Sequence, residues 1–236
     1  MGNERWQSFR VVCLESDLWV AVDADKHNKD IERFTTERTQ HYRKILETHI
    51  TDFPEFRDSL VPVKNPANVH HIITSMYEAA QAAGTGPMSA VAGSMAEYIC
   101  NDLLDKFRFQ EVIVENGGDI FMKLNETATI SVNAGLSPLS DKIGIVIKPE
   151  DTPLSVCCSS GTTGHSLSFG VADACVIACR SGALADAYAT AFCNKVKNIA
   201  SVQSVTEMAL QKPDILSVVI FKDEIVGMGG KLEIRI

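Results

Sequence analysis

The sequence predicts an α+β fold in which a largely antiparallel sheet is backed by helices. Strand-like segments outnumber helical ones, and several neighbouring strands are joined by turns too short for a helical crossover, so adjacent strands should run antiparallel. The chain has 236 residues, of which 45% are hydrophobic, and no low-complexity linker interrupts it. We therefore expect one domain spanning residues 1–236.

The first half of the chain predicts a hairpin followed by three helices. Residues 10–23 alternate apolar and polar side chains on both sides of a turn, which is typical of two paired strands. Residues 29–56 place apolar side chains at near-helical spacing among charges, predicting an amphipathic helix that ends near Pro54. A second helix should stop at Gly84. A third should start at Pro87 and present a surface of small residues that lets another backbone or a ligand come close.

The second half alternates strands with one apolar helical region. Helical structure is predicted from about Ala172 and includes the segment 183–192. A faint internal repeat, in which a small-residue helix leads to a hydrophobic strand and a double glycine, covers 86–118 and 183–230. The predicted strands are 111–124, 128–135, 143–149, 154–161, 216–223 and 231–236.

Charge and composition argue against two classes of partner. The formal net charge is -8, and no run of Lys or Arg exceeds two residues, so neither nucleic acid nor a membrane surface is an expected partner. No segment approaches the roughly 18 apolar residues of a membrane span, and the start lacks a signal-peptide core, so we expect a cytoplasmic protein. Most of the seven cysteines lie in apolar runs, as reduced core thiols do. The adjacent pair Cys157–Cys158 fits either a redox role or a plain strand.

A double glycine followed by an aspartate closes one predicted strand. Gly117 and Gly118 allow a left-handed backbone and close approach of a ligand, and Asp119 then offers a carboxylate beside exposed amides. A tight hairpin turn would use the same residues. Both interpretations stay open at this stage.

Hydroxyl groups, glycines and one histidine follow the strand 154–161. Ser160, Gly161, Thr162 and His165 belong to the segment SSGTTGHS, whose amides and hydroxyls suit phosphate oxygens. The segment lacks the lysine of a Walker loop and the spacing of a dinucleotide fingerprint. A flexible polar loop is the alternative.

Two oxygen-bearing side chains interrupt the apolar helix 183–192. Asp186 and Thr190 are four residues apart and therefore share one helix face. A carboxylate and a hydroxyl are hard ligands that suit Mg²⁺, which commonly completes its coordination with water and substrate phosphates. A helix cap and a Thr bonded back to its own helix would explain the same pair.

Three segments together resemble the ApbE-like superfamily, whose best-known members are Mg²⁺-dependent flavin transferases that cleave FAD and attach FMN to a threonine of a target protein. Residues 89–104 (SAVAGSMAEYICNDLL) stand where that family has a Gly-Ile-Ala-Lys-Gly helix start. Residues 112–120 (VIVENGGDI) are similar to its strand ending in Gly-Gly-Asp, and 183–191 (ALADAYATA) are similar to its Ala-Asp-Ala-x-Ala-Thr-Ala helix. The three segments span nearly half the chain, and the last is the most specific.

The resemblance implies a fold, a cofactor and a set of site residues. The fold is ApbE-like and related to the T-fold. The family's metal-binding Asp and Thr fall on Asp186 and Thr190, and Gly117–Asp119 fall in the wall of a pocket for FAD or FMN. A dinucleotide would extend from this wall to the turn at 160–165, where His165 is the candidate for proton transfer because its unperturbed pKa lies near neutrality.

The departures from the family pattern leave two functions open. Ala92 replaces the family's Lys, and the family's His-x-x-x-Pro-x-Thr-Gly segment is absent. In detail the chain resembles a sister branch of cytosolic proteins of unassigned function. One hypothesis is an enzyme that transfers FMN or cleaves the FAD pyrophosphate with Mg²⁺. The other is a non-catalytic protein that binds a flavin or nucleotide. A homodimer could form through the apolar strand 216–223 or the small-residue helix.

Overall fold

The computed structural model describes residues 5–135, 137–162 and 169–236. The helices are α1 Lys29–Asp52, α2 Glu55–Asp58, α3 His71–Ala83, α4 Val91–Phe107, α5 Gly182–Lys195 and α6 Val202–Leu210. The strands are β1 Trp6–Cys13, β2 Ser16–Asp23, β3 Val112–Asn116, β4 Asp119–Lys123, β5 Ala128–Ser131, β6 Gly144–Ile147, β7 Leu154–Ser159, β8 Ala174–Cys179, β9 Ile215–Lys222, β10 Ile225–Gly230 and β11 Glu233–Arg235.

Eight strands form one antiparallel sheet, in the order β1-β2-β3-β4-β7-β8-β9-β10, and the other three form a small sheet, β11-β6-β5. Strand β8 shows what covers each face of the large sheet, since successive side chains of a strand point to opposite faces. Cys175 and Ile177 pack with residues of α5 and α6, whereas Val176 packs with Ile145 and Ile147 of the small sheet. The predicted α+β class, an antiparallel sheet backed by helices, is confirmed.

The large sheet consists of two similar halves placed side by side. Residues 6–123 run through two strands, helices α1 to α4 and two more strands, and residues 154–230 run through two strands, helices α5 and α6 and two more strands. Strands β4 and β7 meet at the boundary, with Ile120 opposite Val156. The repeat suspected from the sequence is therefore larger than the segments that suggested it.

Two predicted elements are wrong. The predicted strand 111–124 is a hairpin, β3 and β4, in which Gly117 and Gly118 take φ values of +63° and +101°. The helical region predicted from Ala172 is strand β8 up to Cys179, and the helix begins only at Gly182. All six residues of β8 are buried, and a short apolar run covered on both faces lacks the alternation that would identify a strand.

Three elements were not predicted, namely α2, α6 and β10. The position of β10 bears on the homodimer that the sequence suggests. Strand β9, which contains most of the apolar segment 216–223, pairs with β10 on one side and with β8 on the other. The small-residue helix α4 packs against β3, β4 and α5. Strand β9 and helix α4, the two elements that the sequence suggests for a homodimer, are thus engaged within the chain on these sides.

Within the described ranges, no helix is both long enough and apolar enough to cross a membrane.

Candidate functional site

Helices α4 and α5 cross at a pair of glycines. A Cβ atom added to Gly93 would lie 2.3 Å from the carbonyl oxygen of Gly182, and one added to Gly182 would lie 2.2 Å from the carbonyl oxygen of Gly93. Both distances are far below van der Waals contact, so only glycine allows this approach. The small-residue surface predicted for α4 thus serves helix packing at this point.

Each of these helices supplies a carboxylate to the first turn of the other. The backbone N–H of Gly93 in α4 donates to Asp186 Oδ2 over 2.9 Å. The N–H of Gly182 in α5 donates to Glu97 Oε2 over 2.7 Å, and the hydroxyl of Ser181 donates to the same oxygen over 3.3 Å. Carboxylates at helix N-termini satisfy unpaired N–H groups and favour the helix dipole. Asp186 therefore does cap a helix, but the helix is α4 and not its own.

Asp119 lies beside Asp186. It begins β4 directly after the glycine turn, is 6% exposed, and accepts the N–H of Cys158 at Oδ1 over 3.1 Å. Burial raises the pKa of Asp119 to about 7, although hydrogen bonds from Cys157 and Cys158 lower it. Burial and then the charge of Asp119 hold the pKa of Asp186 well above its usual range. The fold thus brings the predicted Gly-Gly-Asp and Asp-Thr motifs together.

These two carboxylates have no basic partner in the part of the chain that the structure describes. None of the ion pairs found there includes Asp119 or Asp186. Buried carboxylates without a counter-charge must take up a proton or bind a cation. Over the same residues no group of three or more His, Cys, Asp or Glu has the geometry of a metal site. A hard cation here would therefore need hydroxyl, water or ligand oxygens to complete its shell.

Thr190 lies one turn along α5 from Asp186 and lines a cavity of about 600 Å³. This volume falls within the range of small-molecule sites. The wall comes from the segment after α2, the end of α3, the turn before α4 and the end of α5. It combines apolar side chains, among them Leu60, Met88 and Phe169, with two cations, Arg57 and Lys195.

Residues 160–162, the described part of the hydroxyl-rich segment, form hydrogen bonds within the chain. The N–H of Gly161 donates to the carbonyl of Ala172 over 2.8 Å. The N–H of Thr162 donates to Ser160 Oγ over 3.1 Å, and the Thr162 hydroxyl donates to Asp173 over 3.2 Å. The amides of Gly161 and Thr162 are thus engaged within the chain, so a phosphate would meet hydroxyl groups here. His165 lies outside the described residues.

The remaining predicted positions divide between surface and core. Gly117 and Gly118 form an exposed turn, and a Cβ atom added to either glycine would meet no atom within 4 Å beyond its chain neighbours. Cys157 and Cys158 lie in β7, and burial raises the pKa of the Cys158 thiol to about 12, which disfavours the reactive thiolate. The sequence analysis missed Glu97, which accepts the N–H of Gly182. The available signal was its position four residues after Gly93, which places both residues on the same face of α4.

Comparison with solved structures places the fold among ApbE proteins. The apo form of the Pseudomonas stutzeri flavinyl transferase ApbE matches with a TM-score of 0.57, 12% identity, and coverage of 95% of this chain and 93% of that chain. A mutant of the flavin transferase ApbE from Vibrio cholerae matches with a TM-score of 0.59, 11% identity, and coverage of 96% and 97%. The ApbE protein of Thermotoga maritima matches with a TM-score of 0.57 and 14% identity, and the match covers 94% of this chain and 96% of that chain. At these identities the likeness establishes the fold.

Sequence comparison then identifies the family. A family model described as "AbpE bacteria" matches residues 1–215. A UPF0280 protein from Methanocaldococcus jannaschii is 34% identical over 234 residues, covering 96% of this chain and 92% of the relative. Another UPF0280 protein, from Methanococcus aeolicus, is 36% identical over 187 residues, which cover 78% of this chain and 73% of the relative. The chain belongs to the AbpE bacteria family, with the UPF0280 proteins as relatives, and the resemblance to the ApbE-like superfamily is confirmed.

Proposed function

We propose that the protein binds FAD together with Mg²⁺ and cleaves the FAD pyrophosphate, transferring FMN to a hydroxyl acceptor. The observation that carries the proposal is the pair of buried carboxylates, Asp119 and Asp186, that lacks a basic partner within the described ranges. Thr190, one turn from Asp186, opens onto a cavity large enough for part of a nucleotide. The reaction is proposed for the cytoplasm, the location that the sequence predicts.

The residues present fit a magnesium ion by chemical type. Asp119, Asp186 and Thr190 would supply carboxylate and hydroxyl oxygens, and phosphate and water oxygens would complete the shell. A bound Mg²⁺ would withdraw charge from the pyrophosphate and stabilise the charge that develops as it breaks. The buried location strengthens this interaction because the surrounding dielectric is low.

The cavity walls suit the other parts of the ligand. Leu60, Met88 and Phe169 offer apolar surface for an aromatic ring, and Lys195 offers a positive charge for a phosphate. The hydroxyls of Ser160 and Thr162, next to Gly161, are proposed as further phosphate contacts. The exposed Gly117–Gly118 turn remains a proposed contact with the nucleotide.

The proposed reaction breaks one P–O bond and forms another. The acceptor oxygen, from a threonine or from water, attacks the phosphorus of the FMN half, and AMP leaves with the bridging oxygen. The proton of the acceptor hydroxyl passes to a base, for which His165 is the proposed residue. FMN then stays attached to the acceptor, or is released free when the acceptor is water.

A binding protein without transfer activity is the second candidate, and Ala92 favours it. Ala92 lies in the first turn of α4, directly before Gly93, whose N–H binds Asp186. The family pattern that the sequence resembles has a Lys in this helix start, and this chain has Ala92 in its place. A protein that keeps the pocket but not that charge could hold FAD without releasing AMP.

Thermal unfolding with and without ligands tests the shared part of both candidates. We expect FAD to raise the midpoint in the presence of Mg²⁺, since a ligand at about 100 times its Kd adds about 2.7 kcal/mol to the unfolding free energy. Asp119→Asn and Asp186→Asn should lose the Mg²⁺-dependent part of the shift. Glu97→Gln is the matched control, because Glu97 is a half-buried carboxylate at the α4–α5 crossing that bonds to the start of α5.

The shift caused by the ligand is the readout, because Asp186→Asn also weakens a helix cap and lowers the midpoint by itself. The proposal fails if FMN, FAD and ATP leave the wild-type midpoint unchanged with or without Mg²⁺. It fails equally if Asp119→Asn keeps the full effect. Chromatography of nucleotides after incubation with FAD then separates the candidates, because only an enzyme releases AMP.

A further inference from the structure

The imidazole ring of His49 is enclosed by aromatic rings at the end of α1, and its side chain is buried. The ring stacks on Phe53 with the centroids 4.9 Å apart, and it meets the ring of Phe56 edge-on at 4.8 Å. Its Nε2 atom lies 3.0 Å from the hydroxyl oxygen of Tyr77. Since Phe56 belongs to α2 and Tyr77 to α3, this ring joins three helices at one point.

The same cluster anchors one wall of the cavity of about 600 Å³. Phe56 is fully buried and is the only buried residue of α2. The residues that follow it, Arg57, Ser59 and Leu60, line the cavity. The packing of the Phe56 ring therefore decides how firmly this wall is held.

Charged and titratable groups lie on all three helices around His49. On α1, Asp52 and the C-terminal end of the helix favour the protonated ring. Burial has the larger effect, and it holds the pKa of His49 below its ordinary value. The other two helices carry Glu55, whose charge acts on Tyr77, the exposed Arg57–Asp58 ion pair, and the hydroxyl of Tyr77 itself.

We propose that His49 is a pH-sensitive switch in this cavity wall: the neutral ring holds Phe56 and the segment 57–60 in place, and the protonated ring releases them. A protonated imidazole carries hydrogen on both nitrogens, so the Tyr77 hydroxyl can no longer donate to Nε2. The charge would also lie among apolar rings instead of water. The inference concerns the wall itself and holds for any ligand of the cavity.

The direction of the effect follows from the proton balance of His49. The folded chain binds this proton less tightly than the unfolded chain, in which the pKa of a histidine is about 6.5. The wall is therefore held fully above about pH 6.5 and loosens as the pH falls below that value. Each unit between the two pKa values changes the equilibrium between the held and the released wall by a factor of about ten.

Hydrogen exchange of the full chain, followed by mass spectrometry from pH 8 to pH 5 without ligand or metal, tests the switch. The N–H groups of Phe56 and Ser59 bond to the carbonyl groups of Phe53 and Glu55, so they exchange when the segment opens. After correction for the intrinsic pH dependence of exchange, we expect protection of residues 54–61 to fall about tenfold or more. Helix α6, which contains no histidine, is the internal control and should keep its protection.

Three variants assign the effect to His49. His49→Gln keeps an amide that can bond to Tyr77 but does not titrate, so protection of residues 54–61 should no longer depend on pH. The double variant His49→Phe/Tyr77→Phe fills the cluster with rings and leaves no unpaired hydroxyl, and it should give the same result if His49→Gln does not fold. His71→Gln, which changes an exposed histidine of α3, should behave as the wild type does.

Two kinds of result would overturn the switch. The first is wild-type protection of residues 54–61 that stays constant, rises at low pH, or falls only in parallel with that of α6. The second is an unchanged pH dependence in a folded variant that lacks His49. Because neither FAD nor Mg²⁺ is present, a failure here leaves the proposed flavin site untouched, and a missing FAD effect on unfolding leaves the switch untouched.

Discussion

Glu97 and Asp186 are both carboxylates at the α4–α5 crossing, yet their surroundings differ in one decisive respect. Burial raises the pKa of Glu97, while hydrogen bonds from the start of α5 lower it. Asp186 has in addition the neighbouring charge of Asp119, which raises its pKa further. A single carboxylate at a helix start is explained by capping. A second one beside it adds repulsion that capping does not require, and this repulsion is what supports the proposed cation site.

Replacing one member of this pair should stabilise the protein when no divalent cation is present. At pH 8 with a chelator, we expect Asp119→Asn to raise the unfolding free energy by about 1 kcal/mol, because it removes a poorly solvated charge and keeps an oxygen for the Cys158 N–H. Urea unfolding measures the change. Glu97→Gln should raise the unfolding free energy by less, because burial raises the pKa of Glu97 as well but no second carboxylate contributes to that rise. An Asp119→Asn variant that gains no more stability than Glu97→Gln would contradict this account of the site.

The sequence allowed part of this site to be predicted. Asp186 and Thr190 could be placed on one helix face because the helical period is local. The contact with Asp119 could not, since it depends on the β4–β7 pairing and on how closely two glycines let α4 approach α5. Long-range geometry of this kind leaves no spacing rule in a single sequence.

At the scale of elements, the α4–α5 crossing is the contact that positions both carboxylates. We expect Gly93→Ala to cost about 2 kcal/mol or more, since the new Cβ would lie 2.3 Å from a backbone oxygen and 2.8 Å from the Cβ of Asp186. Gly117→Ala is the comparison: it has φ of +63° but open space, so only backbone strain of about 1 kcal/mol is expected. Urea unfolding of both variants measures the difference. Equal losses would show that the helices can separate without cost.

The errors at element scale have a common cause. Residues 172–192 are almost uninterrupted in small and apolar side chains, and periodicity cannot distinguish a buried strand from a buried helix in such a run. The boundary is set by Ser181, whose hydroxyl accepts the N–H of Leu184 as an N-cap. Strand β10 was not predicted because three of its six residues are glycines, which leaves too few side chains to show the alternation of apolar and polar residues typical of a strand.

At the scale of the whole molecule, the proposed site lies where the two halves of the large sheet meet. Asp119 and Gly93 come from the first half, on β4 and α4, and Asp186 comes from the second, on α5. Strands β5 and β6 leave the large sheet and join β11, which allows β4 to pair directly with β7. The site therefore exists only when both halves are folded together, and each half alone would expose an unpaired carboxylate.

Glu111 joins the start of the chain to the loop between β4 and β5, and its loss should appear as a change in acid stability. Burial would raise the pKa of Glu111, but Arg5, the indole of Trp6 and two backbone N–H groups lower it to about 2. The unfolded value is about 4.3, so the folded state binds the proton less tightly. The stabilisation is complete above about pH 4.3 and is lost as pH falls towards 2, amounting to about 2 to 3 kcal/mol.

We expect Glu111→Gln to lower the unfolding free energy by this order at pH 7 and to flatten its decline below pH 4.3, measured by urea unfolding from pH 7 to 2. Glu126→Gln, an exposed neighbour, should change neither quantity by more than about 0.5 kcal/mol, and an unchanged slope in Glu111→Gln would show that the start of the chain is not held by this carboxylate.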